Sequence, residues 1–292
     1  MFLTACLVLG LFAAEASAGL PAEASMPDML TVSSRPLPSV QDSQTVLLGL
    51  INHERRQAGL RPLIWDDRLA EAARDHAEVM SREGRLSHQF EGEPDLLQRL
   101  TQHSLRLDAA SENVVYDVSA EGAHEAFAKS LPHRANMLNA SFDGVGIAVV
   151  NQNGILYVVE DFAHRIVDLS DEAATLRVSD RFAGLREGLR APALEFVEEP
   201  RALALVEQMA AREMPDGRSP LSLPGARSAA SYATTSPDEI PASVAALASL
   251  RGVSSYTVGV RFVRTPKYPS GLFWVSIVLF GDNATLHASN RR

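Results

Sequence analysis

Cysteine is almost absent from this chain. The single one, Cys6, lies inside the apolar stretch of residues 1–14. A chain processed after residue 18 would hold no thiol, which excludes disulfide staples, a cysteine nucleophile and thiolate metal ligands. Blocks of basic residues are missing too. With a net charge of −9 and no run of Lys or Arg, no face is offered to phosphates, and no nucleic-acid partner is expected. Beyond the first residues no apolar run is long enough to span a bilayer, so no transmembrane helix is expected in the mature chain.

What is present begins with "MFLTACLVLGLFAAEASAGLPAEA". Residues 1–14 have the length of a signal-peptide apolar region, and Ala16-Ser17-Ala18 supplies small residues at the spacing that signal peptidase needs. Residues 1–18 are therefore read as a signal peptide, although no Lys or Arg precedes the apolar run, and the protein is expected to be exported, periplasmic or secreted. The residues after Cys6 stay strongly apolar where a lipoprotein box would close the run, so lipidation is not expected. Residues 19–42, rich in Pro, Ser and Ala, read as a flexible linker.

From Val46 a helical period sets in. Val46, Leu47, Leu50 and Ile51 share one face, with Gly59 as a stop. Asp66 or Asp67 caps a second helix carrying Leu69, Ala72, Ala73, Ala77 and Met80 on one stripe. Further helices are expected near residues 95–100 and 122–129. The period then changes to two in "GVGIAVV" and "ILYVVEDF", separated by "NQNG", a strong hairpin signal. Helices followed by a hairpin indicate an α+β domain or a layered α/β/α sandwich.

The second half repeats this order. "REGLRAPALEFVEEPRALALVEQMAARE" echoes "RQAGLRPLIWDDRLAEAARDHAEVMSRE", and "YTVGVRFVRTPKYPSGLFWVSIVLF" echoes the first hairpin. A degenerate internal duplication follows, with domains at 43–165 and 170–285. Pairing "SPDEIPASVAALASLRG" with "VSAEGAHEAFAKSLPHR" sets Arg251 opposite His133 and Ala229 or Ala230 opposite Glu112.

Seven of the eight histidines precede residue 165, so a histidine-based site belongs to the first half. His76 sits beside the apolar stripe of its helix and reads as a core or boundary residue. His88 ends "GRLSH" after that helix, His133 follows Pro132 at a helix start, and Glu112 lies near a strand or loop. Two imidazoles and a carboxylate from three elements suit a metal with an open position or a base held by an acid. Spacing does not choose between them.

The segments "LINHERRQAGLRPLIWDDRLAEAARDHAEVM", "LSH", "SENV", "PHRANML" and "FDGVGIAVV", in this order over residues 46–162, resemble the CAP superfamily in its cysteine-free bacterial form: cysteine-rich secretory, antigen 5 and pathogenesis-related-1 proteins. The resemblance implies a three-layer α-β-α sandwich, followed here by the degenerate CAP-like α+β repeat or an accessory domain. It also implies a cleft of two histidines and two glutamates that in some members surrounds a divalent metal. His88, Glu112 and His133 match three of these positions. Ser130 stands at the fourth, three residues after the aromatic Phe127, so one anionic ligand is missing. Asn113 and Arg134 match motif positions beside the cleft.

Zinc or magnesium is the cofactor this implies. The partner implied is a small molecule, a lipid or an extracellular protein. A binding module is expected ahead of an enzyme. The alternatives are a metal- or histidine-dependent hydrolase, with Ser87 and Ser130 as weak nucleophile candidates outside any elbow motif, and an extracytoplasmic scaffold.

Overall fold

The computed structural model describes residues 39–281. The expected signal peptide and all but the end of the expected linker lie outside the described residues. The chain divides into two compact units at Arg165/Ile166.

Unit 1 runs α1 (Val40–Gln57), β1 (Ile64–Trp65), α2 (Asp67–Glu83), α3 (Leu96–Gln102), β2 (Leu107–Asp117), α4 (Ala120–Lys129), α5 (Leu131–Met137), β3 (Gly144–Gln152) and β4 (Ile155–Arg165). Helix α1 starts six residues before its apolar period, because Ser39 and Asp42 form a reciprocal capping box ahead of it. Asp66 caps α2 by accepting from the Arg68 backbone N–H, and Gly84 ends that helix in the left-handed region. The β3–β4 hairpin turns at Asn153 and Gly154, at φ 54° and 85°, the sign that a tight two-residue turn requires.

The sheet order is β1-β3-β4-β2, with β1 parallel to β3 and the other pairs antiparallel. Strand alternation then builds three layers. Val145, Ile147, Val149, Val158 and Phe162 pack on Leu47 and Ile51 of α1, Phe127 of α4 and Met137 of α5. The opposite face sets Ala148, Tyr157 and Val159 against Ala73, Ala77 and Met80 of α2. Gly146 lies where α2 crosses closest. A Cβ there would stand 2.0 Å from the Ala70 nitrogen and 2.2 Å from the Leu69 carbonyl carbon. Gly146→Ala must push the helix off the sheet. It is expected to destabilise unit 1 by about 2 kcal/mol, read from amide exchange of β3 and β4; unchanged protection would refute the close approach.

Unit 2 runs α6 (Asp171–Gly188), β5 (Glu195–Phe196), α7 (Pro200–Ala211), β6 (Ala226–Thr234), the short α8 (Ala242–Ala245) continuing into a 3-10 turn, β7 (Ser255–Val263) and β8 (Leu272–Phe280). Its sheet order, β5-β7-β8-β6, reproduces that of unit 1 strand for strand. Two buried arginines repeat as well. Arg55, two residues from the end of α1, donates from Nε to the Arg61 carbonyl and from Nη1 to those of Met137 and Asn139. Arg186, two residues from the end of α6, donates from Nε to the Pro192 carbonyl and from Nη1 to those of Ala248 and Leu250.

These bonds correct one sequence pairing. Met137 answers to Ala248 and Asn139 to Leu250, so His133 falls opposite Val244 rather than Arg251. Between β6 and α8 no described helix matches α4, a difference that the sequence pairing does not show.

Candidate functional site

Glu112 sits on β2, the eleven-residue edge strand of unit 1. The sequence leaves this element as strand or loop, because "LDAASENVVYD" follows no clean alternation. Glu112, His76, Glu93 and Arg99 are all buried. Oε1 of Glu112 accepts from Nδ1 of His88 at 2.9 Å and lies 3.8 Å from Nε2 of His76. Oε2 accepts a short hydrogen bond from Nη2 of Arg99, on α3. Burial alone would raise the Glu112 carboxyl. The hydrogen bond from His88 and the charges of His76, Arg99 and His88 outweigh it and hold the group below its ordinary range.

His76 is fully buried, as expected of a core residue, yet it is not an apolar filler. Its Nδ1 meets Oε1 of Glu93 at 2.6 Å and its Nε2 meets the Ser87 carbonyl at 2.7 Å. A carbonyl oxygen only accepts, so Nε2 carries a proton. Glu93 also accepts the Phe90 backbone N–H through Oε2. His76 and Glu93 thereby fix the loop that presents His88.

His88 keeps 31% of its side chain exposed, and among the described residues no protein group bonds its Nε2. His133, on α5, is half-buried with its ring edge-on to Phe127 at 5.3 Å. Burial first, and then the charge that His88 carries when protonated, push the His133 imidazole below its ordinary value.

Asn113 ties α5 to the sheet. Its Nδ2 donates to the His133 carbonyl and to Oε2 of Glu160, both at 3.1 Å, and its Oδ1 accepts from Asn136 at 2.9 Å. Arg134 turns away from Glu112 and pairs with Glu54 of α1 at 3.2 Å, where His124 also meets Glu54 at 3.3 Å. Ser130 is the joint between α4 and α5, and its hydroxyl caps neither helix.

Sequence reasoning missed Glu93, Arg99, Glu160 and Asp161. The last two carried a usable signal, since paired acids inside the apolar run "ILYVVEDF" are anomalous in a central strand. Burial pushes Glu160 up to about 8, with only the Asn113 bond opposing. Asp161 pairs in register with Glu112, and burial and that neighbour's charge raise it well above the usual carboxylate range.

The residues expected to hold zinc or magnesium do not fit a divalent cation as they stand. Both Glu112 oxygens are engaged, one of them by a guanidinium. Among the described residues no three His, Cys, Asp or Glu side chains gather so as to hold a metal.

Residues 48–162 match the family model of the cysteine-rich secretory protein family, CAP. This stretch is a CAP domain. An uncharacterised membrane protein of Bacillus subtilis is 31% identical over 124 residues, which span 42% of this chain and 35% of that protein. A second uncharacterised B. subtilis protein is 27% identical over 144 residues, spanning 49% of this chain and 56% of that one. Both matches thus leave a large part of the relative unaligned. The solved structure of an extracellular SCP-domain protein from Bacillus anthracis is 24% identical, covers 45% of each chain and has a TM-score of 0.41. The CAP domain here is of the bacterial kind. Among the described residues no helix is long and apolar enough to cross a membrane.

Proposed function

We propose that the CAP domain is the binding module of an exported protein, with a polar cleft in which His88 and His133 receive a small polar ligand. The free Nε2 of His88, on a ring oriented by a buried carboxylate, carries this reading. Fixing a ring through its inner nitrogen leaves the outer one preorganised for a partner. Hydrolysis is the weaker reading because among the described residues no activated nucleophile accompanies the histidines. The Ser87 hydroxyl donates to the Gln89 carbonyl at 2.6 Å. Expected result: small polar fragments that bind the full chain in ligand-observed NMR lose at least about tenfold in affinity (about 1.4 kcal/mol) when His88 and His133 are both alanine, with thermal stability nearly unchanged. Fragments that bind the double variant equally well would end this reading.

We infer that residues 170–285 are a degenerate copy of the first unit, retained for shape or partner contact. The strand registers support it. Glu112 answers to Ala229, Asn113 to Ala230, Glu160 to Ile277 and Asp161 to Val278, while the buried arginine clasp is kept. The copy holds its core and carries apolar residues at these four positions. That pattern is expected when selection acts on packing alone.

A further inference from the structure

We propose that Arg99 is the built-in cation of this cleft. It balances Glu112 where a bound metal otherwise would, and so fixes His88 with its proton on Nδ1 and a bare lone pair on Nε2, a site for a ligand that donates a hydrogen bond. Which ring nitrogen of His88 faces the ligand is set by the group on the other side. Here that group is a carboxylate whose remaining oxygen is taken by the Arg99 guanidinium.

The cluster behind the cleft places its charged groups against one another. His76 is bonded through both nitrogens, to Glu93 and to the Ser87 carbonyl. Arg99 donates from Nη1 to the Pro94 carbonyl at 3.1 Å, and that nitrogen stands 3.8 Å from Glu93, while its Nε has no hydrogen-bond partner among the described residues. Two carboxyl groups thus face one guanidinium and one imidazole, all of them buried. A divalent ion entering beside Glu112 would have to displace Arg99 or stand against its charge, with no water to screen the repulsion. The ligand class that remains is a hydroxyl, amide or ammonium donor approaching Nε2 of His88. Arg99 is a positioning residue in this account, because it reaches the ligand only through Glu112 and His88. The proposal extends the reading of the cleft as a binding site but does not depend on the ligand being found.

The test uses the full chain labelled with nitrogen-15 in histidine, because long-range proton–nitrogen correlations report the tautomer of each ring. His88 is expected to be the neutral Nδ1–H form in the wild type and in Arg99→Lys. In Arg99→Gln the population ratio should shift toward Nε2–H by at least about tenfold, a difference of about 1.4 kcal/mol. Zinc chloride added to the wild type should leave the His88 signals in place at micromolar concentrations. If Arg99→Gln does not fold, Glu112→Gln replaces it, because its amide can donate to Nδ1 and should give the Nε2–H form. A wild-type His88 with its proton on Nε2 would overturn the proposal. So would a tautomer insensitive to the Arg99→Gln or Glu112→Gln change, or micromolar zinc moving His88 and His133 together. The first two leave the binding reading of the cleft standing. Failure of the fragment experiment, conversely, leaves the tautomer result intact.

Discussion

Arg99→Met is expected to destabilise unit 1 by about 3–5 kcal/mol, the usual loss when one member of a buried ion pair is removed. The cause is what remains. Glu112 would keep a charge inside the protein with only the His88 hydrogen bond and the more distant His76 beside it. Asp161, the buried acid beside Glu112, adds no balancing cation, because burial and the Glu112 charge raise its own carboxyl. Arg99→Met combined with Glu112→Gln should recover a large part of the loss, since no charge is then stranded. Native-state amide exchange of β2 and β4 is the suitable measurement, because it reads unit 1 without assuming that the two units unfold together. A single substitution within about 1 kcal/mol of wild type would show that the pair is solvent-screened and surface-like.

The stability of unit 1 should fall as pH rises from mildly acidic to alkaline, and Glu160→Gln should flatten that fall. Unfolded, the Glu160 carboxyl titrates near the ordinary 4.5; folded, burial raises it to about 8. Below 4.5 both states hold the proton and the group has no net effect. Between the two values only the unfolded chain ionises, so stability declines by about 1.4 kcal/mol per pH unit and by roughly 3 kcal/mol at pH 7. Asp161, also raised, acts in the same direction. Glu112 acts in the opposite one: its pKa is depressed, so its contribution is present above the ordinary carboxylate value and is lost as pH falls through the folded one. The optimum set by these three groups should therefore lie within the ordinary carboxylate range, with a decline above it. The Gln variant carries some cost of its own, since Oε1 of Glu160 has no hydrogen-bond partner and an amide there would be unsatisfied too. The decisive quantity is thus the slope rather than the level. Parallel pH profiles for wild type and Glu160→Gln would mean that the folded protein keeps Glu160 ionised or hydrated.

Both predictions concern residues that local sequence patterns pass over. The helices of unit 1 and the β3–β4 hairpin were legible because their signals are local. Asp66 and Gly84 bracket α2, an apolar stripe repeats every three to four residues, and Asn153-Gly154 accepts the positive φ of a tight turn. The matching order of elements in the two units was legible in outline because packing needs are written in the apolar pattern. His88, Glu112 and His133 were singled out by residue type and motif. Their surroundings were not, because the edge strand β2 alternates poorly and its pairing with β4 is a long-range choice.

By itself the sequence determined most of the helices, the β3–β4 hairpin and the two-unit order, since each of these depends on composition or on residues close together in the chain. Tertiary structure alone decided what Glu112 is for. The answer depends on Arg99, thirteen residues away on helix α3, on His76 from α2, and on an acid from β4 that pairs with it across the sheet. A carboxylate among cations in a dry interior is a held charge, whereas the same residue beside water and open imidazoles would be a ligand. Burial and neighbours make that difference, and they exist only once the chain has folded.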